Sequence, residues 1–204
     1  MGAALPGWAI ERLESAGSDG TEDERKERVR ETGVELVELA RAIGGFSVGV
    51  AAHPAGHPSS PDMTSDRDLL AAKLALADFA ITQFFFEVDE YLTLVEDLAA
   101  RGVTKPVLPG IMPVTSLRSV PRMAQMGAAV PAWAVARLEE ASVLGGDEAV
   151  RRAGIELATD LCAALLSAGA PGLHFYTLNR SSATRDIYAS FGLGETTDTA
   201  DTAR

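Results

Sequence analysis

A chain of 204 residues suits one domain with a sizeable core, and 47% hydrophobic with 23% charged residues is the content of an ordinary folded protein, neither disordered nor membrane-embedded. The net charge of −11, uninterrupted by any basic stripe, excludes nucleic acid as a partner, because a phosphate backbone would be repelled. A single cysteine, Cys162, excludes an internal disulfide and any thiolate cluster.

In chain order, residues 1–8 lack both the basic start and the apolar run of a secretory leader. No uncharged apolar stretch approaches the roughly 20 residues of a spanning helix. A cytoplasmic protein with no membrane partner is therefore expected. Residues 2–14 repeat as residues 127–139, so that Pro6-Gly7-Trp8 returns as Pro131-Ala132-Trp133, and residues 29–36 repeat as 150–157. Two copies do not make a solenoid. Residues 1–33 are read as a duplicated helical segment and linker, a copy of 126–154, with the charge-dense residues 17–28 as a mobile surface linker.

Short apolar runs predict strands over residues 46–52, 79–86, 106–112 and 172–178. Helical spacing of apolar residues predicts helices over 69–77, 89–100, 120–125 and 154–167. Gly102, Gly110 and Gly169 stand where helix stops or strand-end turns belong. Cys162 lies in the last helical pattern, as a buried and inert thiol. Strands alternating with helices, and too apolar for a one-sided sheet, predict an α/β fold of parallel units. Four units are half of a (βα)8 barrel, which typically takes about 250 residues. A disordered tail is expected over 194–204.

Ligands of parallel α/β proteins bind beyond the C-terminal ends of the strands, so the residues closing each strand are the candidates. Gln83 is a large amide inside an apolar strand, and a buried amide left unpaired costs about 1–3 kcal/mol. It meets either a backbone group or water within the core, or a ligand at the strand end. His53 and His57 follow the first strand. Pro54 and Pro58 forbid the regular helix that would place the two imidazoles on one face, and no third ligand stands at a familiar spacing, so no metal is expected. Arg180 follows the last strand and is either a surface ion-pair residue or a fork for a carboxylate or phosphate. Lys73 lies on a helix with Asp66 just before its start, which capping and surface charge would explain.

Five ordered blocks carry a resemblance: Val50-Ala51-Ala52-His53-Pro54 with His57-Pro58, Ile81 to Phe86, Leu108 to Val114, Pro131-Ala132-Trp133, and His174 to Arg180. Together they resemble the methylenetetrahydrofolate reductase family. These are flavoproteins of the (βα)8 TIM-barrel fold that reduce 5,10-methylenetetrahydrofolate to 5-methyltetrahydrofolate with NADH or NADPH. The resemblance covers residues 34–193 and implies a half-barrel there, made of family strands five to eight. The resemblance implies FAD as cofactor, at His53, His57, Asp66 and Lys73. It also implies a folate substrate, with Gln83 on the pterin and the nicotinamide, Met123 in place of a bulky residue over the folate ring, and Arg180 toward the folate tail. The family's proton-donating glutamate belongs to the other half of the barrel, so no catalytic residue is assigned. A non-catalytic remnant or binding fragment is the alternative to an active reductase. A half-sheet also implies a partner, as a homo-oligomer or a complementing half-barrel chain.

Overall fold

The computed structural model describes residues 22–45 and 47–192. The first repeat copy over residues 2–14, Phe46 and the tail over 194–204 lie outside the described residues. In chain order the elements are α1 (Glu22–Ile43), β1 (Gly49–Ala52), α2 (Met63–Leu76), β2 (Phe79–Phe84), α3 (Val88–Ala100) and β3 (Val107–Ile111). A 3-10 turn (Leu117–Ser119), α4 (Val120–Gln125), α5 (Ala132–Ser167), β4 (His174–Phe175) and α6 (Ser182–Ser190) follow. Among the described residues no helix is long and apolar enough to cross a membrane.

The chain forms two compact units, one ending at Gln83 and taking in Asp89–Leu108, the other made of Phe84–Val88 and the chain from Pro109 onward. In the first unit β1 and β2 pair in parallel, from Gly49 opposite Phe79 to Ala52 opposite Thr82. The Ala80 N–H then donates to Pro106 O at 2.9 Å, just before β3. In the second unit β3 and β4 pair in parallel through Gly110 with His174 and Ile111 with Phe175. The four parallel strands are thus the ones predicted, each shorter than its apolar run.

Burial in β2 alternates, with Ala80, Thr82 and Phe84 buried and Phe79, Ile81 and Gln83 half-buried. The expectation of a strand covered on both faces does not hold for β2. Its buried polar residue is Thr82, and Gln83 is on the more open face. Gly110 is likewise inside β3 rather than in a turn, whereas Gly102 and Gly169 follow helices with φ of 77° and 90°, the left-handed geometry of a helix stop.

Residues 22–28, expected as linker, belong to α1. Their Glu, Lys and Arg are strong helix formers, so a charge-dense segment there is helix and not loop. In α3, Tyr91, Leu94 and Leu98 form the buried stripe at three- and four-residue spacing, and the Tyr91 hydroxyl donates to Val107 O at 2.9 Å. Helix α5 begins at the Pro-Trp element after an extended Pro131 and breaks at Gly145 and Gly146, where φ is 62° at Gly146. The predicted helix 154–167 is its second limb. Cys162 is fully buried there, and burial pushes its thiol up to about 12. It is the inert core residue expected.

The second unit's core gathers Phe84, Val114 and Met123 with Leu138, Val150 and Ala153 of α5. Gly154 makes this packing possible: a Cβ at that position would stand 1.8 Å from Val114 O. Neither backbone can yield without moving a helix or the chain after β3. Gly154→Ala is therefore expected to lower stability by at least about 3 kcal/mol, above the usual cost of overpacking. Denaturant unfolding measures it, and a loss under about 1 kcal/mol would show that the contact is soft.

Candidate functional site

Each unit holds a cavity lined by residues expected at the site. The first encloses about 290 Å3 beside β1 and α2, and its lining includes His53, His57, Ser60, Asp66, Leu69 and Lys73. All four residues expected to contact the cofactor are brought together there. The organising group is one that the sequence reading missed. Arg67 is 1% exposed. Its Nη1 donates to His53 O at 2.9 Å and to Asp66 Oδ2 at 2.7 Å, and its Nη2 donates to Pro54 O at 2.6 Å. Its Nε reaches Asp97 Oδ2 of α3 at 3.2 Å.

Asp66 turns inward to the same network. Its Oδ1 accepts from the His57 N–H at 2.9 Å and from Ser60 Oγ at 3.0 Å. With Arg67 on Oδ2, three of the carboxylate's roughly four acceptor positions are spent inside the protein. Asp66 does not cap α2. That role belongs to Asp62, whose side chain accepts from the Ser65 N–H at 2.8 Å. The helix starts six residues earlier than its apolar spacing indicated, which moves Asp66 into the first turn.

His53 and His57 meet edge to face with ring centroids 4.7 Å apart. The Ser59 N–H donates to His57 Nδ1 at 3.1 Å, so a neutral His57 carries its proton on Nε2. Burial, and then the neighbouring His57, hold His53 below its ordinary value of 6.5. Among the described residues no group of three or more His, Cys, Asp or Glu is disposed to hold a metal ion. Lys73 lies against α1, where a Cβ at Gly33 would be 3.0 Å from its Cε and Nζ.

The second cavity encloses about 530 Å3 and is lined by Met123, Arg122 and Arg151 with Tyr176, Thr177 and Arg180 among others. Met123 is 1% exposed and belongs to the core, forming the cavity floor. Arg180 is exposed and follows a turn in which Leu178 and Asn179 have φ of 46° and 62°. Left-handed backbone is unusual for leucine, and such geometry concentrates at ligand sites. The Arg180 N–H closes the turn on Thr177 O at 2.8 Å. This turn ends β4 short of the predicted residue 178.

A parallel α/β fold of the partial-barrel kind defines the class of protein. A family model described as methylenetetrahydrofolate reductase matches residues 15–192. A probable methylenetetrahydrofolate reductase (NADPH) of Caenorhabditis elegans is 39% identical over 151 residues, covering 72% of this chain and 22% of the relative. The 5,10-methylenetetrahydrofolate reductase of Pectobacterium carotovorum is 34% identical over 162 residues, 78% of this chain and 53% of the relative. The chain therefore belongs to the methylenetetrahydrofolate reductase family, and it spans about half the length of the bacterial relative. A similar solved structure, an uncharacterized protein from Clostridium thermocellum that binds two copies of 5-methyl-5,6,7,8-tetrahydrofolic acid, superposes with a TM-score of 0.57 at 15% identity. It covers 79% of this chain and 58% of its own, and at that identity it supports the fold.

Arg67→Met leaves Asp66 buried without its counter-charge, so a loss of about 3–5 kcal/mol in denaturant unfolding is expected. A loss below 1 kcal/mol would mean that the network is dispensable. For His53 the folded value is depressed below the unfolded 6.5, so the unfolded chain takes up the proton first. Stability is then expected to fall as pH drops below about 6.5, and His53→Asn should flatten that slope in thermal melts between pH 5 and 7.5.

Proposed function

We propose that this chain supplies the flavin- and folate-binding part of a reductase that converts 5,10-methylenetetrahydrofolate to 5-methyltetrahydrofolate at the expense of NADH or NADPH. The observation that carries the reading is the second cavity, where Arg180 stands in an arginine-rich wall of an otherwise acidic protein. The names of the relatives support it, as does the folate bound by the structural neighbour.

The first cavity suits FAD by its donors. Lys73 and the His57 imidazole offer cationic and N–H groups to a diphosphate, and His53 offers an aromatic face. Asp66 acts mainly by holding His57 and Ser60 in place, with one acceptor position left for a ribose hydroxyl. A bound flavin supplies the hydride relay between nicotinamide and folate. Gln83 presents both a donor and an acceptor, as a pterin edge requires. Met123 packs under the folate ring, and Arg180 holds a carboxylate of its tail. No residue described here is assigned as proton donor. A chain that binds both ligands without turnover is the second reading, and bleaching of bound FAD by NADH separates the two. A cytoplasmic location and assembly with a second chain complete the proposal. A strictly monomeric mass in solution would contradict the assembly.

The test is a pair of titrations on the purified chain, FAD by fluorescence quenching and 5-methyltetrahydrofolate by calorimetry. Arg180→Ala should weaken the folate by roughly ten- to 150-fold, the equivalent of about 1.5–3 kcal/mol for a hydrogen bond to a charged group. FAD affinity should not change. Folate affinity equal to the wild type, or loss of the flavin instead, would overturn the assignment.

A further inference from the structure

We infer that Arg122 is a second carboxylate anchor in the folate cavity, so that this site selects ligands whose tail carries two carboxylates, as a glutamyl residue does. The inference rests on the folate reading of that cavity and goes beyond it by naming a specificity residue. Three arginines line the cavity, Arg122, Arg151 and Arg180, and its wall holds no Asp or Glu. That is a marked imbalance in a chain with 29 acidic and 18 basic residues. Arg151 is already committed, with Nη2 at 2.6 Å from Asp186 Oδ2 of α6. Arg122 and Arg180 have no carboxylate partner among the described residues.

The placement of Arg122 follows from the short helix α4. Met123 points into the core at 1% exposure, while the preceding residue on the helix is exposed and still borders the cavity. Floor and charge thus come from neighbouring residues of one element, and Arg180 comes from the strained turn after β4. Arg122 and Arg180 both line one cavity, so a dianion held there meets two cations. A glutamyl tail has one carboxylate more than Arg180 alone can serve, and a carboxylate drawn into a cavity without a partner loses its hydration uncompensated. The Thr184 hydroxyl on the same wall can serve a remaining lone pair, whereas the Ser119 hydroxyl already donates to Ser116 O at 2.6 Å.

The experiment measures the affinity of the full chain and its Arg122→Ala variant for two probes, 5-methyltetrahydrofolate and its glutamyl dimethyl ester, which keeps the ring system and lacks both charges. The variant should bind 5-methyltetrahydrofolate at least about tenfold more weakly than the wild type, and bind the diester equally. Arg122→Lys, which keeps the charge, should restore part of the loss. An Arg122→Ala chain that binds 5-methyltetrahydrofolate as the wild type does overturns the inference and leaves the folate reading standing. Equal loss for acid and diester also overturns it, because the residue then shapes the cavity without reading charge. A wild-type chain that is folded and binds neither probe ends the folate reading itself, and this inference with it.

Discussion

A guanidinium that is almost wholly removed from water must have its donors satisfied, and the first unit is arranged around that requirement at Arg67. Two of its partners are backbone carbonyls, His53 O and Pro54 O, in the loop that leaves β1. The other two are carboxylates, Asp66 beside it on α2 and Asp97 on α3. One side chain thus joins a strand-end loop to two helices. Through Asp66 the same charge pair reaches the His57 amide and the Ser60 hydroxyl, so the far side of the loop is tied down as well. Turn hydrogen bonds within the loop, from the Gly56 N–H to His53 O at 3.0 Å and from the Ser60 N–H to His57 O at 2.8 Å, shape its parts, and the charge pair fixes those parts to the helices. The loop's shape is what gathers His53, His57, Asp66 and Lys73 on one cavity.

The second unit solves a different problem by close packing. Gly154 lets α5 settle against the backbone after β3, at a distance no side chain would allow. That contact carries Val150, Ala153 and Leu138 into the core around Met123. The cavity above that core is then built from positions that the core does not use: Arg122 from α4, Arg151 from α5 and the turn ahead of Arg180. The two left-handed residues of that turn are a local cost borne next to that cavity. Burial thus places the apolar floor, and the polar groups take what remains.

Much of this was legible in the residues. Strands and helices are signalled by apolar spacing and by Gly102 and Gly169, and the strand ends point to Gln83, His53, His57 and Arg180, whereas Asp66, Lys73 and Met123 enter only through the family resemblance. The misses have physical causes. Arg67 occupies the position that Leu70 and Leu74 continue on the buried stripe of α2, so a charged residue sat where the pattern called for an apolar one. Starting the helix at residue 69 hid this, and it also made Asp66 look like a cap when Asp62 is the cap. Gln83 drew attention as the polar residue of its strand, yet alternation buries Thr82 and leaves Gln83 half-exposed. Hydropathy alone does not tell which face of a strand is covered. The charged start of α1 reads as linker by its polarity alone, yet its Glu, Lys and Arg carry strong helix propensity.

The central claim is that the buried Arg67–Asp66 pair holds the loop after β1 in one conformation. Amide hydrogen exchange at His57 tests it most directly, because that N–H is bonded to Asp66 Oδ1 in a segment with no regular secondary structure. The account predicts protection at His57 comparable to that of the α2 amides, since opening the loop requires breaking the pair. Exchange at the rate of an unprotected loop amide, in a chain whose α2 amides remain protected, would contradict it.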